Sequence, residues 1–89
     1  MSLADGIVEQ TERCLLNIQA ALVQADASFA DVVRVTYIVP NAAEFPSVWP
    51  VLRKFFGAVR PAATMISAAL VDPKLRIEIE VTARRRPGA

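Results

Sequence analysis

No histidine occurs in this chain, and only one cysteine, Cys14, occurs in 89 residues. Without histidine there is no Ser–His or Cys–His nucleophilic pair and no histidine-ligated zinc within the chain. A single cysteine forms no internal disulfide. Cys14 falls beside the apolar stripe of a predicted helix and reads as packing rather than chemistry. The residues suggest no metal site and call for no cofactor. No apolar run reaches the roughly 18 residues of a membrane span. No charged segment followed by an apolar one opens the chain, so no signal peptide is expected and a cytoplasmic location follows. Charge of one sign is missing too: 10 basic and 9 acidic residues leave a net +1. Such a balance gives no bulk field for nucleic acid or an anionic membrane, and no basic–aromatic interleaving suggests RNA. The one charge run, Arg84–Arg85–Arg86 before Pro87, reads as the start of a flexible basic tail over 84–89.

Apolar side chains are plentiful: 54% of residues are hydrophobic, against a usual ~45–50%. One domain, 1–89, is expected. A chain this short buries only about 60–65% of its unfolded surface, so its own core is marginal. The surplus points to burial against further subunits; a sheet covered on both faces within the chain is the alternative.

Val8, Thr11, Leu15, Ile18, Leu22 and Ala25 recur at helical spacing, which predicts a helix over 5–25 with Asp5 as N-cap and a stop near Asp26. Ser28–Phe29–Ala30–Asp31 reads as a turn. Residues 32–39 form a strand, apolar on both faces, ended by Pro40–Asn41. Asn41–Ala42–Ala43–Glu44 has capping-box spacing, but Pro46 forbids a long helix from that start. A short turn followed by a helix over 47–56 is expected, with Pro50 in its first turn and Gly57 as its stop. Arg53 and Lys54 suit the negative end of that helix. Strands follow at 62–70 and 75–83.

The last strand alternates Ile77, Ile79 and Val81 with Glu78 and Glu80, so the two carboxylates share a face. A strand–helix–strand connection makes 32–39 and 62–70 parallel neighbours. Taken alone, 62–70 and 75–83 read as a hairpin. Helices on one side leave the other sheet face without a cover from this chain.

Gln10–Thr11, Asn17–Ile18, the run from Ala25 through Asp31–Val32–Val33, Phe55–Phe56, Pro61–Ala62 and Ile77–Glu78–Ile79–Glu80 together resemble the YjgF/RidA family, also called the endoribonuclease L-PSP or reactive-intermediate deaminase family. The resemblance runs from about Ile7 to Arg85. It implies an α+β, chorismate-mutase-like fold with a mixed sheet and two helices on one face. It also implies a homotrimer whose sheets face inward and whose ligand sites lie in clefts between subunits. In that arrangement 75–83 lies beside 32–39, not beside 62–70. The family carries a further N-terminal segment whose strand pairs with the last one. The fold is therefore expected to be truncated at its N-terminus, with an open edge on 75–83.

The resemblance also implies a site. The family's deaminases carry an arginine two residues after the proline of Pro61–Ala62, to pair with the substrate carboxylate. That position is Ala63. The family's cysteine aligns with Met65, an asparagine with Trp49, and its acid survives as Glu78. Glu78 is the expected catalytic residue, positioning the water that hydrolyses an imine. Trp49, Ala63, Thr64, Met65 and Arg60 are the expected ligand-binding residues, with Arg60 as a candidate substitute cation. The resulting expectation is a homotrimer that binds a small apolar or aromatic metabolite, with weak or no imine hydrolysis because an alanine cannot hold a carboxylate. An active enamine/imine deaminase using Glu78, and a non-catalytic trimeric scaffold, are the alternatives.

Overall fold

A computed structural model describes residues 6–84. Its elements are α1 (Ile7–Gln24), a 3-10 turn (Phe29–Asp31), β1 (Val32–Ile38), a 3-10 segment (Ala42–Val48), α2 (Trp49–Phe56), β2 (Ala62–Ile66) and β3 (Glu78–Ala83). Asp5 lies outside the described residues. Gly6 takes the N-cap position of α1 and makes no side-chain capping bond. The buried line of α1 is Ile7, Gln10, Thr11, Leu15 and Leu22. Val8 is 37% exposed and Ala25 is exposed, so the ends of the expected stripe turn away from the core. Asp26 stops the helix at a positive φ of 58°. The Ala27 N–H then donates to Leu22 O and the Asp26 N–H to Val23 O, the double bond of a Schellman motif.

The next turn is held at both ends. Ser28 Oγ accepts from the Ala30 N–H at 3.2 Å, and the Asp31 carboxylate accepts from the Ser28 N–H at 2.9 Å. At the second predicted cap, Asn41 Oδ1 accepts from the Ala43 N–H at 3.2 Å. Glu44 does not complete a capping box; it pairs with Arg76 at 2.9 Å. Pro46 sits inside the 3-10 segment and Pro50 in the first turn of α2. Gly57 ends α2 at φ +58°.

The sheet order is β2–β1–β3. β1 and β2 are parallel, with Val35 beside Ala63 and Tyr37 beside Met65. β3 runs antiparallel on the other side of β1, with Ile38 beside Glu78 and Thr36 beside Glu80. The hairpin suggested by the last two strands alone is thus not formed; the order implied by the family resemblance is. Both outer strands are shorter than expected. Val39 N–H still donates to Ile66 O at 2.9 Å. N–H groups alternate sides along a strand, so the one missing at Pro40 would have faced β3, and the β3 ladder is the one it interrupts. Residues 67–70 and 75–77 lie outside the strands. A bulge between Val32 and Arg34 lets Val32 and Val35, at odd spacing, both point into the core, at 3% and 1% exposure.

The helices cover one face of this sheet. Leu15, Val35, Val39, Val48 and Ile77 are its most buried side chains. Phe29 packs edge-on against Phe56, ring centres 5.0 Å apart. On the other face, Arg34, Thr36 and Ile38 line up with Ala62, Thr64 and Ile66 of β2 and with Thr82, Glu80 and Glu78 of β3. This face has no layer over it among the described residues, and Ile66 is 44% exposed. The basic tail read over 84–89 falls outside the described residues except for Arg84. That residue's N–H donates to Asp31 O at 2.8 Å. No described helix is long and apolar enough to cross a membrane.

Candidate functional site

Because β-strand side chains alternate, Ala63 and Met65 share the helix-covered face with Val35 and Tyr37, while Thr64 points to the bare one. α2 lies over β1 but does not reach across β2, every residue of which is exposed. An alanine at position 63 leaves the space between them unfilled. The result is a groove of about 210 Å3 at the C-terminal end of α2. Val35, Tyr37 and Ala63 form its floor, and Leu52 and Phe56 of α2 its wall. Arg53, Arg60 and Pro61 stand on its rim. Burial pushes the Tyr37 phenol above its ordinary value of 10.0, so it lines the floor as a neutral group.

Arg60 is fixed in place. Its Nη1 donates to Gly57 O at 3.0 Å and Val59 O at 3.2 Å, which ties it to the turn that follows α2. Two of the residues expected to bind ligand, Arg60 and Ala63, therefore meet in one groove. Met65 is one row farther along the same face and is 39% exposed. Trp49, 48% exposed, stacks edge-on to Phe45 with ring centres 6.4 Å apart; neither residue lines the groove. Thr64 lies on the opposite face, in a row with Thr36 and Glu80.

Glu78 is separated from the groove in two ways. It belongs to β3, two strands away from β2 and so about 10 Å across the sheet, and it faces the bare side. Being on an edge strand, it is still felt by Cys14 of α1. The Cys14 thiol is pushed above its ordinary 9.0, first by burial and second by the Glu78 carboxylate. No group of His, Cys, Asp and Glu side chains able to hold a metal ion occurs among the described residues.

The residue that sequence reasoning missed is Arg53. The helix dipole accounts for a cation there, and nothing in the sequence signals a groove. The available clue was its position between Leu52 and Phe56, which share the helix face turned to the sheet.

The profile of the family described as Endoribonuclease L-PSP matches residues 1–85. A RutC family protein of Pyrococcus abyssi is 35% identical over 77 residues, covering 86% of this chain and 61% of the relative. A 2-iminobutanoate/2-iminopropanoate deaminase of Capra hircus is 30% identical over 82 residues, 92% of this chain and 60% of that protein. The chain thus spans about 60% of the length of these relatives. Among solved structures, a YjgF/YER057c/UK114 family member from Mycobacterium tuberculosis superposes with a TM-score of 0.86 at 38% identity, over 92% of this chain and 70% of that one.

Proposed function

Because the chain belongs to the endoribonuclease L-PSP family, also called YjgF/RidA, we propose that it forms a homotrimer that binds a small apolar or aromatic metabolite between subunits, with weak or no imine hydrolysis. The observation that carries this reading is the groove itself. Its floor is apolar and includes Ala63, the position at which the family resemblance implies the deaminases' arginine. A methyl group orients nothing, and orientation supplies much of the rate of a hydrolysis. Glu78 of the same copy is out of reach of a ligand in this groove, two strands off and on the other face. A carboxylate would reach this groove only from a second copy; assembly through the bare sheet face is supported separately by that face having no layer over it among the described residues. Met65, one row farther along the same face, would extend the groove, whereas Trp49 and Thr64 lie away from it.

A second reading is favoured by one observation, the presence of Arg60 on the rim beside Ala63. In it the protein is an active enamine/imine deaminase. Glu78 of a neighbouring copy holds a water, the water adds to the imine carbon, the C–N bond breaks, and a ketone and ammonia leave. The two readings part in one assay. A freshly generated 2-aminoacrylate-derived imine is mixed with the protein, and ammonia is followed. Release no faster than in buffer is expected. Release that falls by a hundredfold or more in Glu78→Ala would establish the second reading instead.

A further inference from the structure

We infer that β3 pairs edge to edge and antiparallel with β3 of a second copy, in the register that sets Glu78 against Arg84 of that copy and Val81 against its own counterpart. Among the described residues β3 has a neighbour on one side only. The Arg84 N–H donates to Asp31 O, and the Val39 N–H to Ile66 O. N–H groups alternate sides along a strand, so both bonds give one phase: Glu78, Glu80 and Thr82 bond toward β1. Ile79, Val81 and Ala83 therefore turn their N–H and C=O groups to the open edge. Such an edge is a template for another strand. This one is complementary to itself.

A symmetric antiparallel pair uses the same strip twice, so charge and shape must match under reversal. Centred on Val81, the pair sets Glu78 opposite Arg84 of the second copy at each end. These are non-hydrogen-bonded pairs, in which Cα atoms approach to about 4.5 Å and side chains lie closest. Both residues are exposed, and the ion pairs Lys54–Glu12 and Arg76–Glu44 involve neither. On the helix-covered face the same register sets Ile79 beside Ala83 of the second copy. Ala83 borders a cavity of about 140 Å3 lined also by Leu22, Ala25, Ala27 and Arg84. A cavity of about 150 Å3 holds a benzene ring, so this one admits the branched side chain of Ile79. Centring the pair on Glu80 would oppose two carboxylates, which repel. Centring it on Thr82 would carry Ile79 past Ala83 and off the cavity. Along α1, Gln10 and Cys14 face the β3 side. The same flank continues at helical spacing through Asn17 and Ala21, which are exposed and small enough to let a second α1 approach.

The strip 78–84 falls far short of the roughly 20–30 residues a side of a stable interface, so the pairing is reversible and appears on concentrating. An assembly through the bare sheet face would set the mass in dilute solution, and edge pairing would add to it. The test is sedimentation velocity of the whole chain over a concentration series, with amide exchange followed residue by residue. The mass is expected to rise with concentration. The amides of Ile79, Val81 and Ala83 should slow severalfold as it does, while those of Glu80 and Thr82, already bonded to β1, stay as they are. Glu78→Arg and Arg84→Glu each oppose like charges across the edge, and each should raise the concentration needed on the order of tenfold. Mixed in equal amounts, the two variants should pair with each other as the parent does. Circular dichroism checks that each is folded. Ala83→Pro removes an outward N–H and none that faces β1, so it should weaken pairing likewise and decides the matter if a charge variant fails to fold. A mass and exchange rates that do not change on concentrating overturn the inference. So do single variants that pair as the parent does, or a mixture that pairs no better than either variant alone.

Discussion

The fate of a few residues decides most of what this protein can do. Ala63 opens a groove because it is small, and Arg60 reaches the same groove because its Nη1 is held by Gly57 and Val59 carbonyls. Cys14 lies within the electrostatic reach of the Glu78 carboxylate. A thiol held above its ordinary 9.0 by burial and by that carboxylate keeps its proton when folded, whereas the unfolded chain loses it from about that pH upward. The unfolded state then binds fewer protons than the folded one, so stability is expected to fall as pH rises above 9.0. At pH 8 the folded thiol should react with iodoacetamide more slowly than a free cysteine, since the thiolate is the nucleophile. Glu78→Gln should speed that reaction while the circular dichroism spectrum is unchanged. An unaltered alkylation rate would mean the carboxylate lies too far from Cys14 to matter.

Among the elements, the sequence reading succeeds where local chemistry decides and fails where a neighbour does. The helix stops at Asp26 and Gly57 are written in local residues, and so is the placement of Pro50 in a first turn. The expected outer strands are several residues too long: Pro40, remote from β3 in sequence, removes the N–H that would extend that ladder, and β2 ends at Ile66. The strand order was not legible from periodicity, which favours a hairpin; it came from resemblance over the whole chain. In the site, alternation alone separates Ala63 from Thr64, and the position of Ala63 and Arg60 followed from the Pro61–Ala62 motif. Arg53 was invisible because a cation at a helix C-terminus needs no further explanation. Gln10 illustrates the same limit at an element junction. Its amide donates to Lys74 O at 3.0 Å and accepts from the Arg76 N–H at 2.8 Å, fastening α1 to the connection before β3. A polar residue at a buried helix position carries no mark in the sequence of what it will bind. Gln10→Leu leaves both partners without it, at a cost of about 1–3 kcal/mol. For a domain of this size that is a drop in melting temperature of roughly 4–8 °C per kcal/mol. A melting temperature within a degree of the parent would show that the connection is held by other contacts.

At the scale of the whole molecule, one sheet face is covered by helices and the other is not. Ile38 and Ile66 lie in one row of that bare face, with Thr36, Thr64 and the small Ala62 beside them. A single layer of helices over three strands gives a thin core, and a two-layer domain normally buries each apolar sheet face against something. If three copies turn these faces inward, Ile66 becomes a buried position. In a lone copy it remains a surface one. The two cases respond oppositely to a charge. On a surface, Ile66→Lys changes stability by no more than about 0.5 kcal/mol. In an apolar interface it places an unpaired cation in each copy, at a cost of several kcal/mol per ion, enough to separate the subunits. Sedimentation equilibrium of parent and variant distinguishes them. A parent mass three times the chain's 9.7 kDa, falling toward one chain in Ile66→Lys with helix content retained, is the expected result. A parent that sediments as one chain, or a variant that keeps the parent's mass, would leave the bare face unused and return the groove to a single copy, where Glu78 cannot reach it.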